Sequence, residues 1–346
     1  MAILSVDEFL SNIQSENYFL VDTRSESEFN HAHIQRAFNL PLLNDEHRKL
    51  VGTCFKKKGR EAAVRLGFEI VGPLFASFVK TIDSVAANKK ILVYCWRGGM
   101  RSGIMSWVLS MSGYQVDTMK GGYKAFRNSV LNEFIIPRKL AVIGGHTGCG
   151  KTDLLKLMKS QGLSIVDLEG LANHRGSAFG HLGMKAQTTN EQFENDLALE
   201  LKRIPLEAIV YAEAESRSIG RIKIPDEFYF QLSAAPVFEL SLNAADRIKR
   251  IAIDYGHFSK EELSASIDKI LKRLGGLRHK QCIEALEADR TEEWIGVLLD
   301  YYDSQYAHSL DSRTSIQRIV IEMKDQNDHQ RNIEKINTNA QLIFQK

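Results

Sequence analysis

A cysteine at the end of an apolar run is the first residue of this chain with chemistry to offer. Ile91-Leu92-Val93-Tyr94 runs into Cys95, and Trp96-Arg97-Gly98-Gly99-Met100-Arg101-Ser102 follows. Val93 and Tyr94 suit a buried strand, while Ile104, Trp107 and Val108 recur at helical spacing downstream. A thiol at such a strand–loop–helix junction sits where successive backbone N–H groups and the positive end of a helix converge. That setting lowers a thiol pKa and cradles an oxyanion. Arg97 and Arg101 would strengthen the effect, and Gly98 and Gly99 let the backbone curl. The expected chemistry is that of a reactive thiolate. The competing reading is a buried structural cysteine, the common fate of a free thiol.

A second constellation follows the apolar run at 139–144. Gly145-His146-Thr147-Gly148-Cys149-Gly150-Lys151-Thr152 is a complete Walker A pattern, and Leu154, Leu155, Leu157 and Met158 continue it as a helix. Gly145, Thr147, Gly148 and Gly150 form a loop whose N–H groups can face a phosphate. Lys151 reaches the outer oxygens, and Thr152 can ligate Mg²⁺. Cys149 reads as a small filler. Farther on, Ala208-Ile209-Val210-Tyr211-Ala212-Glu213 is a strand that delivers an acid at its end. Glu213 could hold Mg²⁺ through water, or could simply be satisfied by Arg217 or Arg221. Thr152 and Glu213 are thus the candidate metal residues. The glycine-punctuated loop at 171–180 also follows a strand, where open α/β sheets hold ligands.

Other clusters read as structural or stay open. Asp22 and Arg24, at the end of the strand Tyr18-Phe19-Leu20-Val21, are expected to brace a loop rather than catalyse. His31 and His33 lack nearby partners for a metal. Lys56-Lys57-Lys58-Gly59-Arg60 is either a solvated face or a phosphate-backbone contact. Arg247 and Arg250, then Lys269, Lys272-Arg273, Arg278-His279-Lys280 and Lys324, are interleaved with Tyr301, Tyr302 and Tyr306. They suit either RNA contact or a solvated helix face over buried tyrosines.

The elements that must position these residues alternate strand and helix, which implies parallel sheets. At 346 residues, two domains are expected. The boundaries fall at 1–131 and 139–346, with a linker at 132–138 and a helical extension at the C-terminus. The fold class is α/β throughout. With 44% hydrophobic and 25% charged residues and a formal charge of +2, bulk charge does not by itself call for nucleic acid. Cys54, Cys95, Cys149 and Cys282 form no CxxC pair, so no disulfide framework or zinc ribbon is indicated. The first residues lack the layout of a signal peptide, and no uninterrupted apolar run is long enough to span a bilayer. A reduced, cytoplasmic setting without a membrane is expected.

Two resemblances add to this reading. Asp22-Thr23-Arg24, Glu28-Phe29, His33-Ile34, Ala37, Asn39, Pro41, the Cys95 loop and the Gly121-Gly122 turn resemble the rhodanese-type sulfurtransferase fold in the right order. In that superfamily the cysteine carries a chalcogen as a persulfide or perselenide. Five residues separate Cys95 from Arg101, where ordinary rhodaneses usually have four. The longer spacing also occurs in related phosphatases, so a larger atom or an oxyanion are both open. The fusion of such a domain to a P-loop domain resembles the bacterial tRNA 2-selenouridine synthase family over essentially the whole chain. Gly59-Arg60-Glu61-Ala62-Ala63, His174-Arg175-Gly176-Ser177-Ala178-Phe179-Gly180 and Glu213-Ala214-Glu215-Ser216-Arg217-Ser218-Ile219-Gly220 also carry that likeness.

The family resemblance implies replacement of sulfur by selenium in wobble 2-thiouridine of lysine, glutamate and glutamine tRNAs. It implies selenophosphate as selenium donor and geranyl diphosphate as donor of a geranyl group to the thiouridine sulfur. Cys95, Arg97 and Arg101 would then be catalytic. The 145–152 loop would hold the diphosphate, with Mg²⁺ as an additional cation. Two other classes stay open: a Cys-x5-Arg phosphatase or reductase fused to a nucleotide-binding domain, and a nucleotide-gated RNA-binding protein.

Overall fold

The computed structural model describes residues 1–15, 17–86, 90–311, 317–323 and 328–345, the side chains of 307–311 excepted. Lys324, one of the basic residues named above, lies outside them. The chain forms two compact units, Met1–Glu133 with Glu194–Ala198, and Phe134–Phe193 with Leu199–Lys346. The segment expected as a linker at 132–138 is anchored. Phe134 is buried, and Gln231 Nε2 donates to the carbonyls of Phe134 and Ile136 at 2.8 and 3.2 Å.

The first unit is built on a five-stranded parallel sheet in the spatial order Ile3–Leu4, Val116–Met119, Lys90–Tyr94, Tyr18–Asp22, Phe38–Asn39. Its central strand carries the Ile91-Leu92-Val93-Tyr94 run, all four residues buried, as a strand covered on both faces requires. Helices Phe75–Val85 and Met100–Met111 supply Phe78, Ile82, Met105 and Leu109 to the same core.

Asp22 and Arg24 brace this unit. The Arg24 guanidinium, 1% exposed, donates from Nε and Nη2 to the Asp22 carboxylate at 3.0 and 2.6 Å and from Nη2 to the Ala32 carbonyl at 2.7 Å. It also lies 3.7 Å from the centre of the Tyr123 ring. All its strong interactions are internal, as the bracing reading expected.

Sequence periodicity does not reveal the 27-residue helix Asp45–Val71. It is bent at Gly59, whose φ of 85° is not helical. Its apolar residues are not gathered on one face: Leu50, Phe55 and Phe68 are exposed, and only Ala63 and Val71 are buried. Lys56, Lys57, Lys58 and Arg60 are exposed on it. With the short 3-10 turn Gly72–Leu74 and the helix Phe75–Val85 it makes one stretch, Asp45–Val85, that is long and apolar enough to cross a membrane by length and composition alone. The sequence suggests a helix only from Pro73 to Ala87, and Arg65, Glu69 and Gly72-Pro73 leave no uninterrupted apolar run in this stretch.

The second unit holds another five-stranded parallel sheet, ordered Arg318–Glu322, Val237–Ser241, Lys139–Gly145, Ile209–Glu213, Ser164–Val166. The strand feeding the glycine loop is again central. Arg318–Glu322 lies within the C-terminal region expected to be helical. Its Ile319-Val320-Ile321 run is β-branched, and it pairs in register with Val237–Ser241. A separate apolar core joins helices Ala244–Tyr255, Gly276–Glu287 and Thr291–Asp311 around Ile251, Cys282, Trp294 and Leu298. Tyr301 is buried within it, and Arg247 is buried and paired to Asp303 at 2.6 Å. Those residues serve packing rather than an exposed RNA face.

Removing one partner of a buried pair leaves the other charge uncompensated. Asp22→Ala should therefore destabilise the first unit by about 3–5 kcal/mol in urea denaturation. Adding Arg24→Met should recover most of that loss. A single-mutant loss of less than about 1 kcal/mol would mean the pair behaves as a surface one.

Candidate functional site

Cys95 ends the central strand of the first sheet, and the loop that follows curls back over it. Its thiol is 3% exposed. Sγ lies 3.2 Å from the Ser102 hydroxyl, whose single proton is shared between the sulfur and the Gly99 carbonyl 3.1 Å away. Burial pushes the thiol pKa up. The Ser102 hydroxyl and the backbone N–H groups of Ser102, Gly99 and Arg97 more than offset this and leave it lowered. The curl depends on close backbone approach. A Cβ on Gly122, at φ 60°, would fall 2.3 Å from the Cys95 carbonyl oxygen. The neighbouring amides use that approach: Tyr123 N donates to the Cys95 carbonyl at 2.8 Å and Lys124 N to that of Trp96 at 2.9 Å.

The two arginines expected beside the thiol behave differently. Arg97 is exposed and contributes its backbone N–H. Arg101 donates to Glu28 at 2.7 Å, and Arg48 joins the same carboxylate at 3.1 Å. Burial would raise the Glu28 pKa, but Arg101 keeps it lowered. The positive charge of Arg101 is thus already matched, and backbone dipoles with Ser102 are what lower the thiol pKa. Ser102 was visible in the sequence only as the residue after Arg101.

In the second unit the loop from Gly145 to Thr152 joins the strand Lys139–Gly145 to the helix Lys151–Ser160. Gly145, Gly148 and Gly150 have φ of 133°, 81° and 89°. Only glycine suits Gly145, because a Cβ there would meet the Leu240 carbonyl oxygen at 2.6 Å. Gly145 N donates to the Tyr306 hydroxyl at 2.6 Å, Lys151 Nζ donates to the Gly145 carbonyl at 2.7 Å, and the Thr147 carbonyl accepts from Arg247 at 3.2 Å. Cys149 is fully buried, as a filler would be.

Beside this loop lies a cluster of carboxylates. Thr152 Oγ1 is 3.4 Å from Glu169 Oε2. Glu213, the acid chosen from the sequence, sits at the register of Ile143 on the adjacent strand. Its Oε2 accepts from the Leu168 amide at 3.0 Å, while its buried Oε1 has no hydrogen-bond partner. Thr152 therefore meets Glu169 directly rather than Glu213. Glu169 stands at the start of a short helix that follows the strand end, out of reach of a motif search. Burial raises the pKa values of Glu169, Glu213 and Glu215, and mutual repulsion adds to the rise for Glu213 and Glu215. Burial would lower that of Lys151, yet its Coulombic interactions with Cys149, Glu169 and Glu215 hold it above its ordinary value.

The cluster is short of positive charge, and a divalent cation would offset it. Among the described residues no three His, Cys, Asp or Glu side chains form a ready-made metal site. A cation there would take most of its ligands from a bound anion and water, as Mg²⁺ commonly does.

Two hollows lie in this unit, one beside the carboxylate cluster and one at the loop. A cavity of about 1240 Å³ is lined by His174, Gly176, Gln187, Arg221, Lys272 and Tyr302 among others. Gly176 brings it against the cluster, since a Cβ there would lie 3.1 Å from Glu215 Oε2. The second is a small apolar crevice that begins at Thr147.

Alkylation of Cys95 by iodoacetamide should show a midpoint below the ordinary thiol range near 8.5. Ser102→Ala should raise it by roughly one pH unit or more, the worth of a hydrogen bond to a charged group. An unchanged midpoint would remove Ser102 from the account. Glu215 is a carboxyl whose folded pKa lies above its unfolded one. Its contribution to stability is present in acid and is lost as pH rises past the ordinary carboxylate range through its raised value. Glu215→Gln should accordingly flatten the fall in thermal midpoint between mildly acidic and alkaline pH. An identical profile in the variant would contradict the shared burden of charge.

Residues 138–337 match the family model described as the tRNA 2-selenouridine synthase AAA domain. Residues 5–129 match that of the rhodanese-like domain. Over 345 residues the chain is 33% identical to the tRNA 2-selenouridine synthase of Hydrogenovibrio crunogenus, with 89% of this chain and 93% of the relative covered. It is 35% identical to that of Bordetella petrii over 87% of this chain and 88% of the relative. With that of Sulfurovum sp. it shares 36% identity over 88% of this chain and 92% of the relative. With both halves matched and full-length relatives aligned across them, the chain belongs to the tRNA 2-selenouridine synthase family.

Proposed function

We propose that this chain is a tRNA-modifying enzyme. In this reading it converts wobble 2-thiouridine of lysine, glutamate and glutamine tRNAs to 2-selenouridine, using geranyl diphosphate and selenophosphate. The observation that carries the reading is one chain holding both a thiolate cradle and a diphosphate-type loop, each at the end of a central parallel strand. A phosphatase would need the first alone, and a nucleotide switch the second alone.

Sulfur on a pyrimidine C2 is a poor leaving group as it stands. In the first step the thiouridine sulfur attacks C1 of the geranyl donor. The S–C1 bond forms, the C1–O bond breaks, and the diphosphate departs with the bonding pair. The N3 proton of the base passes to a carboxylate, for which the Glu169–Glu215 pair is suited by its raised pKa values. The 145–152 N–H groups and Lys151 stabilise the departing diphosphate. Mg²⁺, held by Thr152 and, through water, by Glu213, would supply further charge stabilisation there.

In the second step the Cys95 thiolate, favoured by the loop amides and Ser102, attacks the phosphorus of selenophosphate: the S–P bond forms, the P–Se bond breaks and hydroselenide is released, and water later removes the phosphoryl group from the sulfur. The selenide adds at C2, its proton passes to N3, and the geranyl thiolate leaves with its electron pair.

Nucleoside mass spectrometry on 2-thiouridine tRNA separates the steps. Geranyl diphosphate alone should yield the S-geranyl nucleoside, and both donors together the 2-selenouridine. Cys95→Ala should stop selenation and leave geranylation intact. Lys151→Ala should cut geranylation by about 10²–10³-fold, as loss of a leaving-group stabiliser does. Equal loss of both products in both variants would contradict the division of labour.

A further inference from the structure

The apolar crevice in the second unit has no part in the reading so far. It starts at Thr147, inside the diphosphate loop, and runs between Phe179, Ile251, Trp294, Leu298 and Tyr302. Phe179, Trp294, Leu298 and Ile251 are each buried. The loop turns directly onto this apolar wall: a Cβ on Gly148 would lie 2.8 Å from Ile251 Cδ1. Beyond the phosphates, a nucleotide presents a ribose and a base edge that need polar partners. The deep wall offers them almost none, since its polar groups, Thr147, Ser177, Tyr255 and Tyr302, are outnumbered by hydrocarbon and indole.

We infer that this crevice holds the prenyl chain of the diphosphate donor, with Leu298 on the wall that sets the accepted chain length. The assignment rests on the geranyl diphosphate reading above. It places the donor's two ends in the environments their chemistry demands, the diphosphate on the amides of 145–152 and the hydrocarbon against Trp294, Leu298 and Phe179.

The acceptor also has a route. Ser177 and Tyr302 line both the crevice and the 1240 Å³ cavity. The Tyr302 hydroxyl accepts from the Ala178 amide at 3.3 Å, which fixes the ring as the partition between them. The cavity carries Arg221, Lys269, Lys272 and Arg273 for phosphate contact and borders Glu215 through Gly176. A base entering there meets C1 of the donor where the loop, the crevice and the cavity come together.

The crevice is narrow in this state, at about 40 Å³, roughly three waters' worth of space. A ten-carbon chain must part its walls, which belong to the helices Ala244–Tyr255 and Thr291–Asp311 and the 173–189 segment. Chain length should consequently be selected sharply, because each added carbon needs further displacement of packed side chains.

The test uses the full chain, 2-thiouridine tRNA, and prenyl diphosphates of five, ten and fifteen carbons. Inorganic diphosphate serves as competitor to report on the loop. Leu298→Ala should raise use of the fifteen-carbon donor relative to the ten-carbon one by about tenfold or more in kcat/KM. Leu298→Trp should lower the ten-carbon donor relative to the five-carbon one by a similar factor. Competition by inorganic diphosphate should stay within about twofold in both, which also shows that the variants are folded. Prenyl transfer with the wild-type order of donors retained in both variants would overturn the crevice assignment and leave the function standing. No transfer from any donor by the wild type would overturn the function and the crevice with it.

Discussion

Both reactive loops of this chain depend on backbone packed against backbone with no side chain between. At Cys95 the turn Gly121-Gly122 is pressed onto the loop so closely that one added carbon would collide with a carbonyl. At the P-loop the Leu240 carbonyl presses on Gly145 in the same way. In each case a buried parallel strand ends and the chain curls before a helix begins, so a run of amides is left without sheet partners. Those amides turn toward whatever negative group is at the strand end. In the first unit that group is the Cys95 sulfur, whose pKa they lower, and in the second the proposed occupant is an oxyanion.

The electrostatics of the two loops then diverge. Around Cys95 the stabilising groups are dipoles and one hydroxyl, and the nearest well-placed arginine is already matched by Glu28. A soft, polarisable nucleophile gains from such a site, because no strong cation holds it back once it must attack. Around Lys151 the balance is reversed. Glu169 and Glu215, both with raised pKa values, act on one lysine, and Glu213 adds its charge beside Glu169, so the site gains by accepting a proton or a cation. On the proposed reading, one loop suits a thiolate that acts on the selenium donor, and the other suits a multiply charged leaving group.

Much of this was legible in the sequence, for reasons that can be named. Cys95 and the 145–152 loop are local signals, in which strand, glycines and helix start lie within about a dozen residues, and local order specifies them. Asp22 and Arg24 were read correctly as a brace because an acid and a base at one strand end have each other as first partners. What sequence concealed is what the fold brings together from afar. Glu169 meets Thr152, and Tyr306 meets Gly145, across spans that no spacing rule covers. The helix Asp45–Val71 escaped because its apolar residues do not form one face. The edge strand Arg318–Glu322 was lost among the helices because five residues give too short a pattern to stand out.

The central claim is that the P-loop makes an intermediate which the Cys95 loop consumes. The direct test is to prepare S-geranyl-2-thiouridine tRNA with wild-type protein, purify it, and supply it with selenophosphate to each variant. Lys151→Ala should then produce 2-selenouridine at close to the wild-type rate, since its defect lies upstream, while Cys95→Ala should produce none. Failure of Lys151→Ala on the preformed intermediate, or selenation by Cys95→Ala, would show that the two loops do not divide the reaction in this way.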